Sequence, residues 1–424
     1  DDHQLIRSFH EQFLPVDPVS RSPDGRGRVM LDPASVDAGS SQPGIDPSSH
    51  EGVTLPAGPG TLWSPGSPPN AEPVTAAEPA RYDVADRRWL VTGAAGFIGA
   101  HLCRVLIERG ASVVGVDDFD PYYDPAYKRE RLAAVAPTVP MHELDLSDHD
   151  AVVDLVAAER PGVVVHLAAQ AGVRHSLDDP RSYVASNMAG FMSVLEACRT
   201  TPPEHLVYAS SSSVYGSTSP TPFAVDHAAD HPLNLYAASK RANELMAHAY
   251  SQLFDLPCTG LRFFTVYGPW GRPDMAYLLF AEAIAEGKPI RVFGDGSAAR
   301  DFTYVDDIVD GVMATALRPP AGPTDPGGAG EDLGLSPIAP WRVLNIGHGQ
   351  QVTVDQLITS LEHHLGRSAV REVATEQPGE APITHADVDR LHRMIGAKPT
   401  VTFEEGIARF CHWYREWRGL SPSG

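Results

Sequence analysis

Thr92-Gly93-Ala94-Ala95-Gly96-Phe97-Ile98-Gly99 joins an apolar run, Trp89-Leu90-Val91, to a segment with Ile98, Leu102, Val105 and Leu106 on one helical face. That order reads as strand, tight glycine turn and helix. Gly93 and Gly96 have no Cβ, so the backbone can turn sharply and approach a pyrophosphate, and Gly99 lets helix and strand pack closely. The free N–H groups at the start of the helix, around Phe97 and Ile98, then face the phosphates together with the positive end of its dipole. A second strand, Ser112 to Val116, leads to Asp117, 24 positions past Gly93. A carboxylate there accepts ribose hydroxyls and repels a 2′-phosphate, which predicts NAD rather than NADP.

The chain has 424 residues with 33 basic against 54 acidic side chains, a formal charge of −21. Such a surface disfavours nucleic acid and anionic membranes as partners, and an anionic substrate would need local arginines. No apolar run approaches the ~18 residues of a membrane span. Cys103, Cys198, Cys258 and Cys411 are scattered and read as buried thiols of a reducing cytoplasm, neither a disulfide framework nor a metal site. His363-His364 reads as a solvated helix face, and no metal is expected. A soluble, cytoplasmic protein is the expectation.

Residues 1–86 hold 13 of the 38 prolines and no sustained periodicity, and read as a disordered extension dispensable for chemistry. Within it, His3 to Leu14 has the pattern of a short helix. From Arg87, apolar strands (Val139 to Leu144, Val163 to Leu167, His205 to Ala209) alternate with helices near Asp148 to Glu159, Pro180 to Cys198 and Leu235 to Phe254. The fold class is therefore α/β, a Rossmann-type doubly wound parallel sheet, assigned to residues 87–264. Residues 265–418 read as a smaller, mainly substrate-binding α/β domain with room for returns to the first, and 419–424 as a tail. Its elements are Met275 to Glu286, Ile290 to Gly294, Arg342 to Ile346, Val354 to Leu365 and Phe403 to Trp417, with a Pro/Gly-rich loop over 318–340. Ligands of such sheets gather at the carboxyl ends of the strands. Three of those ends carry Asp145-Leu146, placed for an adenine; Leu167-Ala168-Ala169-Gln170, able to pass close to a cofactor; and the serine run 210–213.

Tyr236 and Lys240 form Y-x-x-x-K, which puts both side chains on one helical face a turn apart. A phenol has a pKa of ~10 and becomes a useful base only when a positive neighbour lowers it. Lys240, one of only four lysines, together with a nicotinamide ring would supply that charge, and Ser211 would bridge substrate and phenol.

With T-G-x-x-G-x-x-G at 92–99, a serine before Val214-Tyr215-Gly216, and Y-x-x-x-K, the chain from about Arg87 to Trp417 resembles the extended short-chain dehydrogenase/reductases. Within them it is most similar to nucleotide-sugar 4-epimerases acting on UDP-glucuronate. That likeness lies in Asp117-Asp118 with Tyr122-Tyr123-Asp124, Leu167 to Arg174, Arg262 to Ala276 and Arg300 to Tyr304. Asp118 departs from the asparagine such enzymes often carry. The resemblance implies a UDP-sugar substrate, a homodimer, and transient oxidation at the sugar C4 by NAD, with Tyr236, Lys240 and Ser211 catalytic. It further implies Phe263 near the cofactor, Asn187 on the nicotinamide side, Arg300 at the diphosphate, Phe293 against the uracil, and Arg174 as a weaker substrate contact. Ser211, Ser212, Ser213, Thr265 and Arg272 would control the sugar carboxylate. A UDP-glucuronate decarboxylase or a dehydratase would place an acid where Ser212 and Ser213 stand. A UDP-glucose 4-epimerase is disfavoured by the string from Thr265 to Ala276, and a non-catalytic NAD-sensing protein by the presence of Tyr236, Lys240 and Ser211.

Overall fold

The computed structural model describes residues 83–322, 334–374, 381 and 383–420. The stretch His3 to Leu14, nearly all of the 1–86 extension, residues 323–333 of the 318–340 loop and the end of the tail lie outside the described residues.

The strands are β1 (Arg88–Thr92), β2 (Ser112–Asp117), β3 (Met141–Glu143), β4 (Val163–His166), β5 (His205–Ser211), β6 (Cys258–Phe263), β7 (Thr265–Tyr267), β8 (Pro289–Phe293), β9 (Ala299–Tyr304), β10 (Trp341–Ile346), β11 (Gln351–Thr353) and β12 (Val370–Ala374). The longer helices are α1 (Phe97–Glu108), α2 (Pro125–Val135), α3 (His149–Glu159), α4 (Gly190–Thr200), α5 (Leu235–Phe254), α6 (Ala276–Glu286), α7 (Val305–Ala316), α8 (Val354–Leu365) and α10 (Phe403–Trp417), with the shorter α9 (Asp389–Ile395) before the last.

A seven-stranded sheet runs β10-β6-β5-β4-β1-β2-β3, every pair parallel. Strand alternation sorts its side chains onto two faces. Trp89, Val91, Val165, Val207 and Leu344 pack with α1 and α7, while Leu90, Val116, Val164 and Leu206 pack with α3, α4 and α5. Helices on both faces make the sheet doubly wound, and its central strands are largely apolar because both of their faces are covered. The same two layers leave only the strand ends open, so the site lies there.

Beyond β6 the chain divides. α7 and β10 return to the large sheet, whereas a three-stranded sheet, β11-β9-β7, and a pair, β12-β8, form a smaller lobe with α6, α8 and α10. Asp301, fully buried, ties β9 to its surroundings by accepting the N–H groups of His348 (2.9 Å), Gly349 (2.9 Å) and Ala386 (3.1 Å). His364 is not simply solvated, since its Nε2 lies 2.8 Å from Glu404 and joins α8 to α10.

Three local readings change. The strand expected from Val139 to Leu144 shortens to β3, because the Val139 N–H closes a turn onto the Ala136 carbonyl at 3.2 Å. The helix expected from Pro180 to Cys198 is broken into Pro180–Tyr183, a π-helical turn Val184–Ala189, and α4. In the wider turn Asn187 is buried. The third is α2, a helix absent from the expected elements, because its charged run from Lys128 to Arg131 gives no amphipathic signal although Lys128 and Arg131 are both buried.

Candidate active site

At the cofactor end, Gly93 takes φ +70°, and a Cβ there would come within 2.7 Å of the Ala168 nitrogen. A Cβ on Gly99 would come within 2.1 Å of the Gly93 carbonyl oxygen. The turn, the first residues of α1 and the Leu167-Ala168 end of β4 are thus in backbone contact, a cradle that side chains would fill. Asp117, buried at the end of β2, accepts the Ala95 N–H at 3.0 Å and the Phe119 N–H at 2.9 Å, and its Oδ1 lies 3.6 Å from Lys128 Nζ. This donor and acceptor set fits an adenosine ribose and a pyrophosphate. Asp145 is exposed and caps its own turn through the Ser147 N–H at 2.8 Å, while Leu146 is buried beside Gly190.

On the opposite side, Asn187 is anchored from three directions. Its Oδ1 accepts the Gln170 N–H at 2.8 Å, and its Nδ2 donates to the Gln170 carbonyl and to Ser239 Oγ, each at 3.0 Å. Leu167, Ala168 and Ala169 remain partly accessible beside it. Lys240 is buried, donates to the Ala209 carbonyl at 2.9 Å, and is pulled down to about 7 by burial. Burial pushes the Tyr236 phenol up, and the hydrogen bond with the Ser211 hydroxyl and then the Arg272 charge pull it back. The lowering expected from Lys240 is not found: the phenol stays above its ordinary value, Ser211 and Arg272 offset burial only in part, and the Lys240 side chain is turned to a strand carbonyl.

Ser211 ends β5 in register with Phe263, and its Oγ accepts the Ser213 N–H at 3.2 Å. Ser212, Ser213 and Thr265 are partly accessible next to it in the fold. Arg272 holds Asp274 through Nε (3.0 Å) and Nη2 (2.6 Å) and also donates to the Ala171 carbonyl at 3.3 Å. Tyr122 adds a third hydrogen bond to Asp274 at 3.0 Å. Although burial pushes the Asp274 carboxyl up, Arg272 holds it below the ordinary carboxylate range. Across the cleft, the Arg174 guanidinium lies 5.1 Å from the centre of the Phe293 ring, so those two sequence-named residues meet directly. Arg300 stands on the neighbouring β9, partly accessible.

Residues 89–326 match the family model described as the NAD dependent epimerase/dehydratase family. The chain belongs to that family. A probable UDP-glucuronate 4-epimerase of Rhizobium meliloti (strain 1021) is 44% identical over 329 residues, covering 77% of this chain and 96% of its own. Among solved structures, a UDP-glucuronic acid 4-epimerase from Bacillus cereus, in complex with UDP-glucuronic acid and NAD, superposes with a TM-score of 0.69 at 33% identity, covering 78% of this chain and 99% of that one. A UDP-glucose 4-epimerase from Thermotoga maritima reaches 0.67 at 27% identity, covering 78% and 99%.

Several residues around this family's site escaped the sequence reading. His166 ends β4, bonds Thr92 Oγ1 at 2.8 Å and is kept neutral by burial, which draws it down to about 3. A lone polar residue in the run Val163 to Leu167 was its signal. Glu244, one turn past Lys240 on α5, accepts Arg262 Nε (2.8 Å) and Nη2 (2.9 Å), Ser210 Oγ (2.6 Å) and Arg241 Nη1 (2.8 Å) with no exposed surface. It pins the serine run from below. Glu244→Ala strands the buried Arg262 guanidinium and is expected to cost about 3–5 kcal/mol of stability. Urea denaturation measures this, and a loss under about 1 kcal/mol, the scale of an exposed pair, would refute it.

Proposed function

We propose that this protein interconverts UDP-glucuronate and UDP-galacturonate through a transient 4-keto sugar. The observation carrying this reading is the chemistry around Ser211. Its hydroxyl bonds the Tyr236 phenol, the base in this reading, positions 212 and 213 offer hydroxyls, and the carboxyl of Asp274 is held below its ordinary range by Arg272, which disfavours it as an acid. The likeness to UDP-glucuronate 4-epimerases over most of the chain supports the same substrate.

In the mechanism, bound NAD supplies the acceptor and later the donor of a hydride at C4. Gly93, Gly96 and the start of α1 hold its pyrophosphate, Asp117 its ribose, and Lys240 the nicotinamide side. Tyr236 removes the C4 hydroxyl proton, Ser211 orients that hydroxyl, and Arg300 with Arg174 offsets the diphosphate charge in an otherwise acidic protein. The keto sugar turns about its diphosphate linkage, so that C4 would take the hydride back on its other face while Tyr236 returns the proton to the C4 oxygen. We assign residues 87–264 mainly to cofactor and 265–418 mainly to substrate.

Purified protein should be incubated separately with UDP-glucuronate, UDP-glucose and UDP-xylose and the products resolved. UDP-galacturonate without net NAD consumption is the expected result. Faster turnover of UDP-glucose to UDP-galactose would transfer the assignment to the glucose epimerases, and a UDP-pentose as main product would transfer it to the decarboxylases.

We also propose a homodimer through α4 and α5. Of the apolar positions on these helices, Val194 and Leu195 are buried in the chain's own core, and Met246 packs on it. The apolar side chains left outward are Met192, Leu245, Leu253 and Phe254. Light scattering at micromolar concentration is expected to give the mass of two chains, and Leu245→Glu with Leu253→Glu the mass of one. A monomeric wild type would overturn this.

A further inference from the structure

Arg131, on α2, has no exposed surface and spends its guanidinium on two distant segments. Nη1 donates to the Ala95 carbonyl at 2.8 Å and to Tyr123 Oη at 2.9 Å. Nε donates to the Trp270 carbonyl at 2.7 Å and Nη2 to the Gly271 carbonyl at 3.3 Å. None of these acceptors is a carboxylate. The rings of Tyr123 and Tyr127 flank it at 5.6 and 4.9 Å. A buried cation compensated only by carbonyls, a phenol and ring faces is an expensive tie, and a neutral amide could hold loops together at lower cost.

Each anchored segment has a reason to need that hold. Ala95 lies inside the glycine turn, and its carbonyl is held inward while its own N–H is taken by Asp117 at 3.0 Å. A flip of the Ala95–Gly96 peptide would break the Gly96 N–H bond to the Gly93 carbonyl, 3.0 Å, that closes the turn, and would aim the Ala95 carbonyl outward. At the other end Trp270 adopts φ +61°, a left-handed conformation that strains a bulky residue. The Gly271 carbonyl is also bonded by Tyr127 Oη at 3.0 Å, and a Cβ on Gly271 would fall 1.5 Å from Tyr277 Oη. Arg272 comes next, with its charge acting on Tyr236.

We propose that Arg131 is a positioning residue that couples the cofactor turn to the sugar-side loop 268–275, so that seating the dinucleotide sets the geometry of Arg272. The sugar-side part of this rests on the epimerase reading above; the coupling itself does not. The test is hydrogen exchange on protein stripped of NAD and then resupplied with it. In the wild type, NAD should slow exchange in 268–275 by about 2- to 30-fold, the range of such couplings. Arg131→Lys keeps a charge but, as a point donor, cannot span the Ala95, Trp270 and Gly271 carbonyls together, and should lose that protection. Tyr127→Phe removes that hydroxyl's bonds to the Gly271 carbonyl and to Arg131 but none to the glycine turn, and should weaken the protection while NAD affinity falls by no more than the same factor, a match that a purely structural role would not produce. Full protection of 268–275 in folded Arg131→Lys overturns the proposal. Should that variant not fold, wild-type protection in Tyr127→Phe overturns it alone. On UDP-glucuronate, Arg131→Lys should also raise the fraction of turnovers ending in a UDP-pentose, a ratio insensitive to the amount of folded enzyme. A wild type inactive on that substrate removes the proposed function yet leaves the exchange result standing.

Discussion

Tyr236→Phe is expected to lower turnover by about 10²- to 10⁴-fold, the usual worth of a positioned general base, while NAD stays bound. The substitution removes one oxygen and almost no contact area, so the cradle formed by Gly93, Gly99 and Ala168 is untouched. Burial opposes ionisation of this phenol, and what favours it comes from Ser211 and Arg272. Activity should therefore rise with pH on the acidic limb as the phenol deprotonates, and that limb should vanish in the variant. Product assays and the absorbance of bound dinucleotide check both halves. A rate near wild type would mean that another base operates.

The second large effect concerns the product rather than the rate. Oxidising UDP-glucuronate at C4 creates a β-keto acid, which loses CO₂ when the bond to its carboxylate aligns with the carbonyl π-system. Hydroxyl donors that hold the carboxylate near the ring plane prevent that alignment, and Ser211, Ser212, Ser213 and Thr265 are proposed for this task. A hydrogen bond to a charged acceptor is worth about 1.5–3 kcal/mol, so Thr265→Ala should slow epimerisation by about 10- to 150-fold. Arg272→Ala should have a further consequence visible in the structure. It releases Asp274 from its bidentate partner, with bonds of 3.0 and 2.6 Å, and leaves a buried carboxyl free to take up a proton. An acid would then stand near an enolate. Labelled CO₂ and a UDP-pentose are expected from both variants, more from Arg272→Ala. Clean 4-epimer at an unchanged rate from both would sink the proposal.

Sequence was most informative where one short-range rule dominates. The glycine turn, the long helix from Leu235 to Phe254 and the closing helix from Phe403 to Trp417 carry their pattern in local residues, with Asn234 and Thr402 as caps of the last two, whose bounds match the structure. It was least informative where long-range partners override local pattern. The run from Lys128 to Arg131 looks like a solvated face, because its burial depends on Asp117, Ala95 and the carbonyls of residues 270 and 271. Scarcity of lysine had singled out Lys240, and the same argument applied to Lys128. Val194 and Leu195 show a related limit, since an apolar stripe states that a face is covered but not by what. The π turn at 184–189 shifts the stripe by a residue, which no fixed period detects.

The position of β10 in the large sheet bears on how the chain comes off the ribosome. β6 pairs with β5 on one side and waits for β10 on the other, and β10 is made only after residues 264–340. Until then the nascent sheet presents an unpaired edge, Cys258 to Phe263, whose one charged residue, Arg262, is turned to Glu244. A fragment halted at residue 264 would keep the glycine turn and the strand ends through β6 and still be prone to aggregate along that edge. The late strand thus makes release of a finished sheet conditional on synthesis of most of the sugar-side lobe, and a partner that shields a growing β edge would matter most in that interval.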